Sequence, residues 1–186
     1  MNKLTKYMGI ADAVAKLSKD SSTKVGALIV GASNEVRSMG YNGSPRGCSA
    51  DEGLDGRTVR PEKYFWFSHA EANAITNAAR VGTPLEGSSI VVTHFPCMDC
   101  ARLIVQSGIK HVVTYEVDHA FYDRWKEHIV RAEKLFDECG VELTILPPSS
   151  DQLAESEVSG CGNSEGGKTL CQYCKDGYKH LCECGS

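Results

Sequence analysis

Four side chains in two short runs could do chemistry in this sequence: His69 and Glu71 in His69-Ala70-Glu71, and Cys97 and Cys100 in Pro96-Cys97-Met98-Asp99-Cys100. One imidazole and two thiolates make three protein ligands for Zn2+. A site with three protein ligands leaves the fourth tetrahedral position to water, the mark of a catalytic rather than a structural zinc. Glu71 is then the acid/base group. Zinc lowers the pKa of the water it holds towards neutral, so that hydroxide can attack an electron-poor ring carbon while the carboxylate carries the proton. Taken singly, each part has an ordinary explanation: a histidine satisfied in a core, or a structural or redox Cys pair. Pro96 and Glu71 in register with both runs favour the catalytic zinc.

These groups meet only if both runs sit at helix starts. Cys97 and Cys100 are three apart and share a helix face, where the N-terminal N–H groups and dipole favour thiolates. Zinc binds thiolates, not thiols. His69 and Glu71 are two apart and would diverge within a regular helix, so His69 must open one, with Ser68 as the expected N-cap. Periodicity agrees with this placement. It predicts helices over 69–81, with Ala70, Ala74 and Ala78 on one face and Gly82 as the stop, and over 97–106, closed by Gly108.

Upstream, Leu4, Met8, Ala11 and Ala15, with Val14 and Leu17 beside them, space a first helix that ends at Asp20-Ser21-Ser22. The runs 25–30 and 36–41 flank Gly31-Ala32-Ser33-Asn34 as a β-hairpin. Residues 42–62, dense in Gly, Pro, Ser and Asp, read as a long loop of the kind that carries function. Downstream, strands at 89–93, 111–115 and 141–146 alternate with helices, the last over 122–138 with Trp125, Ile129, Ala132 and Phe136 at helical spacing. The order predicts an α/β fold: a layered mixed β-sheet of about five strands flanked by helices. Catalytic groups in such sheets gather at loops and helix starts beyond the strand ends, where both runs fall.

The 186 residues suit one globular domain over 1–146 and an appendage over 147–186. After Pro147-Pro148 the chain turns to Ser, Gly, Glu and Cys, with few large apolar side chains. The formal net charge is -4, and the six acidic and three basic side chains from Pro147 onward account for -3 of it. Nothing here offers the basic face that a nucleic-acid polymer requires, so a small substrate is favoured. No charged and apolar leader opens the sequence and no apolar run is long enough to cross a bilayer, so the expectation is a cytoplasmic protein with no membrane partner. Nine cysteines in an odd count with metal-like spacings suit a reducing compartment. Cys161, Cys171, Cys174, Cys182 and Cys184, with His180, form either a zinc knuckle or a flexible thiol-bearing tail.

The His-x-Glu and Pro-Cys-x-x-Cys runs resemble the cytidine deaminase superfamily, in which the Glu does not ligate the metal. Within it, Ser18-Lys19-Asp20, Val25-Gly26-Ala27, Gly40-Tyr41-Asn42-Gly43-Ser44-Pro45-Arg46-Gly47-Cys48, His69-Ala70-Glu71-Ala72-Asn73-Ala74-Ile75 and Gln106-Ser107-Gly108-Ile109-Lys110 look like the deoxycytidylate (dCMP) deaminases. The likeness spans approximately residues 4–146. It implies hydrolytic deamination of dCMP to dUMP and ammonia in thymidylate precursor supply. His69, Cys97 and Cys100 would hold the zinc and Glu71 would shuttle the proton. It also implies substrate contacts: Asn42 to the sugar, Arg80 and Arg102 near the phosphate, and Tyr122 stacking on the nucleotide.

The same resemblance implies a homohexamer activated by dCTP and inhibited by dTTP, with Mg2+ escorting the triphosphate. Gly40, Tyr41, Gly43 and Arg46 are then the candidate effector site, because successive N–H groups and one arginine suit phosphate oxygens. A second, structural zinc near Cys48, found in some relatives, has no complete ligand set here, since Phe65-Trp66-Phe67 supplies no His. Three rival functions stand beside this one. The first is a deaminase of another cytosine nucleotide, such as dCTP or a modified dCMP. The second is a deaminase of tRNA or single strands, which the acidic balance opposes. The third is a non-catalytic nucleotide-sensing or zinc-binding module, which would have no need of Glu71.

Overall fold

The apolar run near residue 28 becomes the inner strand of the sheet. In the computed structural model, which describes residues 3–48 and 57–148, β1 (Gly26–Val30) is buried along its whole length. It pairs antiparallel with both β2 (Val36–Tyr41) and β3 (Ser89–Val92). β4 (His111–Tyr115) and β5 (Glu142–Leu146) extend the sheet in parallel. The resulting order, β2-β1-β3-β4-β5, is the expected mixed sheet of five strands. The Cys-rich tail, with its knuckle and its alternatives, lies outside the described residues.

Strands covered on both faces read as unbroken apolar runs, and alternate residues serve alternate layers. Ala27, Ile29, Ile90, Val92 and Val112 face one core, and Leu28, Val30, Val91, Val113 and Tyr115 face the other. α1 (Lys3–Ala15) covers the second face with Met8 and Ala11. Leu17 lies beyond its end and is exposed, so it does not join the stripe. A four-residue helix, α2 (Lys63–Trp66), follows the turns at 57–62; it is too short to leave a helical period in the sequence. α3 (Ala70–Val81), α4 (Met98–Gln106) and α5 (His119–Glu138) cover the first face with Ala74, Ala78, Ile104, Ile129 and Phe136. α5 begins three residues before its expected start at 122, because Asp118 caps it by accepting the Phe121 N–H at 2.7 Å.

A glycine sets how closely α3 approaches the sheet. A Cβ on Gly40 would lie 2.3 Å from the Ala74 nitrogen and 2.4 Å from the Ala70 carbonyl oxygen. The helix therefore rests directly on β2. Gly40→Ala is expected to cost about 1–3 kcal/mol of stability by overpacking. It should also slow turnover, since the helix that must move carries Glu71. Thermal melts and rates at constant metal content check both.

Candidate active site

Two helices begin at the site, each with a metal donor at its N-cap. His69 is the N-cap of α3, with extended φ −74° and ψ 157°, and Cys97 is the N-cap of α4, at φ −69° and ψ 166°. Neither side chain caps its own helix, which leaves both donors available. Ser68, the expected cap, is instead one residue too early: it exchanges backbone hydrogen bonds with Gly43, at 2.9 and 3.1 Å, and so anchors the entry to α3. Cys100 follows in the first turn of α4. α5 braces that turn, where the Met98 N–H donates to His128 Nδ1 at 3.2 Å.

The donors fit zinc in type and in spacing. Zn–S bonds of about 2.3 Å and Zn–N bonds of about 2.0–2.1 Å at tetrahedral angles separate N from S by about 3.6 Å. Cys97 Sγ and Cys100 Sγ lie 3.3 and 3.5 Å from His69 Nδ1. All three donor atoms fall within 4.8 Å of one another, and they form the one such group of His, Cys and acidic side chains found among the described residues.

The Cys97 thiol is pulled down to about 3 by the hydrogen bonds from Cys100 and then His69. The His69 imidazole is raised to about 9 by its hydrogen bond to Cys97. The Cys100 thiol is pushed up by its hydrogen bond with Cys97 and then by burial, so a cation binding here displaces its proton. Burial pushes the Glu71 carboxyl up to about 7, against the pull of the His69 charge.

His69, Glu71 and Cys97 open onto a cavity of about 610 Å³. The first two turns of α5 supply an aromatic wall. Phe121 stacks on Trp125 with centroids 6.2 Å apart, His94 tilts against Phe121 at 5.4 Å, and Tyr64 of α2 meets Trp125 edge-on at 6.2 Å. Such a wall suits a flat heteroaromatic ring. Lys24, Arg60 and Arg124 line the same cavity and suit an anionic group.

Residues 1–116, both ligand runs included, match the family model described as the cytidine and deoxycytidylate deaminase zinc-binding region. The chain belongs to this deaminase family. The deaminase is 37% identical over 150 residues to the human deoxycytidylate deaminase, covering 79% of this chain and 81% of that one. It is 43% identical over 142 residues to an uncharacterized deaminase of the luxG 3′ region in Aliivibrio fischeri, covering 76% and 92%. Among solved structures, the dCMP deaminase of cyanophage S-TIM5 in complex with dCMP and dUMP is similar at TM-score 0.61 and 27% identity, over 78% of this chain and 99% of that chain. The expected family and fold class are both borne out.

The deaminase brings only some of the expected nucleotide contacts to the cavity. Asn42 lines it. Arg80 does not: it is exposed in the last turn of α3, nine residues and about 13 Å of helix beyond Glu71. Arg102 is also outside, exposed and paired with Asp99. Tyr122 is 1% exposed within the core. One residue is about 100° of helix rotation, so Phe121 faces the cavity where Tyr122 faces the sheet.

Of the cations that line it, Arg60 and Arg124 come from the segment before α2 and from α5. Phe121 and Trp125, four apart, were the legible signal for the aromatic wall. Of the expected effector residues, Gly40 is buried under α3, and Tyr41 accepts a hydrogen bond from Asn73 through its carbonyl at 2.8 Å. Gly43 holds Ser68, and Arg46 is exposed and hydrogen-bonded to Asn77. Among the described residues no helix is long and apolar enough to cross a membrane.

Proposed function

We propose that the chain catalyses hydrolytic deamination of dCMP to dUMP and ammonia, serving thymidylate precursor supply in the cytoplasm. The observation that carries this is Glu71, a buried carboxyl group in one cavity with a His–Cys–Cys donor set and an aromatic wall. Zinc held by His69, Cys97 and Cys100 supplies the Lewis acidity that makes water a usable nucleophile near neutral pH.

Glu71 takes one proton from the water whose oxygen joins C4 of the cytosine, and hands it to N3. It then carries the second water proton to the exocyclic amine. The C4–N bond breaks, ammonia leaves, and the ring retains the new oxygen and the N3 proton. A carboxyl poised near 7 is suited to both giving and taking a proton at cellular pH. Phe121 and Trp125 bound the ring, and Arg60 and Arg124 meet the 5′-phosphate.

Regulation belongs to the same proposal. A homohexamer would bind dCTP with magnesium as activator and dTTP as inhibitor, with the segment from Gly40 to Arg46 as the effector site. The exposed guanidinium of Arg46 supports that assignment.

Ammonia release by the zinc-loaded protein is expected with dCMP and not with deoxycytidine, CMP or dCTP, and it should rise with added dCTP and fall with dTTP. Turnover of dCTP itself would widen the substrate class, and flat effector responses would remove the regulatory part. No turnover of any of the four overturns the proposal.

A further inference from the structure

Asp20 and Lys63 form an ion pair whose geometry reaches beyond stability. Lys63 Nζ lies 2.8 Å from Asp20 Oδ2, with the two side chains 7% and 2% exposed. The partners stand 43 residues apart, one in the turn after α1 and the other at the start of α2. Taking two charges out of water is costly, and well-packed apolar side chains often serve a fold equally well. What an apolar pair could not do is orient a polar neighbour.

Asp20 is fully engaged. Its Oδ1 accepts the Ser22 N–H and hydroxyl, both at 2.8 Å, and the Thr23 N–H at 3.2 Å. Its Oδ2 accepts from Lys63 and, at 3.1 Å, from Asn42 Nδ2. Asn42 Nδ2 gives its other hydrogen to the Thr23 carbonyl oxygen at 2.9 Å, and Asn42 Oδ1 accepts the Val25 N–H at 2.8 Å. Burial works against the Asp20 charge, and the hydrogen bonds from Lys63 and Ser22 outweigh it, holding the carboxyl below its ordinary value.

The Asn42 amide therefore has one orientation. Turned over, it would set Oδ1 against the Asp20 carboxylate and Nδ2 against the Val25 N–H, acceptor to acceptor and donor to donor. With both Nδ2 hydrogens engaged, Asn42 offers the cavity only the second acceptor position on Oδ1. It can take a hydroxyl proton and cannot donate to a phosphate.

We propose that Lys63 and Asp20 are positioning residues that lock Asn42 as an acceptor for the sugar hydroxyl of the substrate, and so set a preference for a sugar that carries it. The inference rests on the nucleotide substrate proposed above. It is tested by kcat/KM for dCMP and for 2′,3′-dideoxycytidine monophosphate, which lacks that hydroxyl, in wild type, Asn42→Ala, Lys63→Met and Lys63→Arg.

Wild type is expected to favour dCMP by about tenfold, the worth of one hydrogen bond. The preference should fall to within about twofold in Asn42→Ala and Lys63→Met, chiefly through loss of dCMP activity, and persist in Lys63→Arg, which keeps the charge. A Lys63→Met that loses activity on both substrates equally, with its preference intact, overturns the proposal, because a merely structural role does just that. If Lys63→Met does not fold, Asp20→Asn with Lys63→Met takes its place with the same expectation, since it buries no lone charge. Failure of the substrate assignment shows separately, as absence of dCMP turnover in wild type, and overturns both.

Discussion

Replacing Glu71 with Gln is expected to lower kcat for dCMP by about 10³-fold or more, while zinc content and melting temperature stay near those of wild type. Positioned acid–base catalysis is worth about 10²–10⁴ in rate, and in the proposed mechanism one carboxyl group serves two successive transfers. Gln preserves the volume and polarity of a side chain that is 4% exposed, but it can neither take up nor return a proton. Stability should not suffer. Burial already pushes the Glu71 carboxyl up to about 7, so the fold gains nothing from its charge. Metal analysis beside steady-state kinetics makes the check, and a loss below tenfold at full metal occupancy would mean that the proton travels by another route.

Cys100→Ala is expected to remove the metal, the activity and part of the stability together. Cys100 is 2% exposed, and without its Sγ, 3.5 Å from His69 Nδ1, two donors remain where a catalytic zinc takes three. An ion bound only by the folded chain stabilises it by about 4 kcal/mol when free metal exceeds the dissociation constant a thousandfold. For a domain of this size that is roughly ten degrees in melting temperature. Zinc per chain should fall from about one towards zero, and a strong chelator should bring wild type to the same melting temperature. A chelated wild type that melts unchanged while losing its zinc would dissociate the metal from the fold.

The metal donors were legible in the sequence because zinc dictates both the residue types and the short spacing between them. His69 and Cys97 had to open helices, and they do. The apolar periods that gave α3, α4 and the sheet were equally direct, since each strand and helix buries a repeating face.

The walls of the cavity were harder, because no single element makes them. Arg60 and Arg124 arrive from segments far apart in the chain, and nothing local distinguishes them from the exposed Arg80 and Arg102. Tyr122 and Phe121 differ by one helical step, and placing the start of α5 at 122 rather than 119 hid the Asp118 cap that settles which of them turns outward. The Asp20–Lys63 contact spans 43 residues and obeys no period, so only the folded chain reveals it.

The deaminase family match stops at residue 116, and α5 begins at His119. Phe121, Arg124 and Trp125 therefore stand outside the family-model match, though within the stretch aligned with the human deoxycytidylate deaminase, while every metal donor and Glu71 stand inside both. On the proposed reading, the start of α5 is a place where a lineage, or an engineer, could retarget the ring and phosphate contacts without touching a ligand or a proton carrier. Asp118 caps that turn and Tyr122 anchors it in the core, so its outward-facing side chains can change while its backbone stays in place.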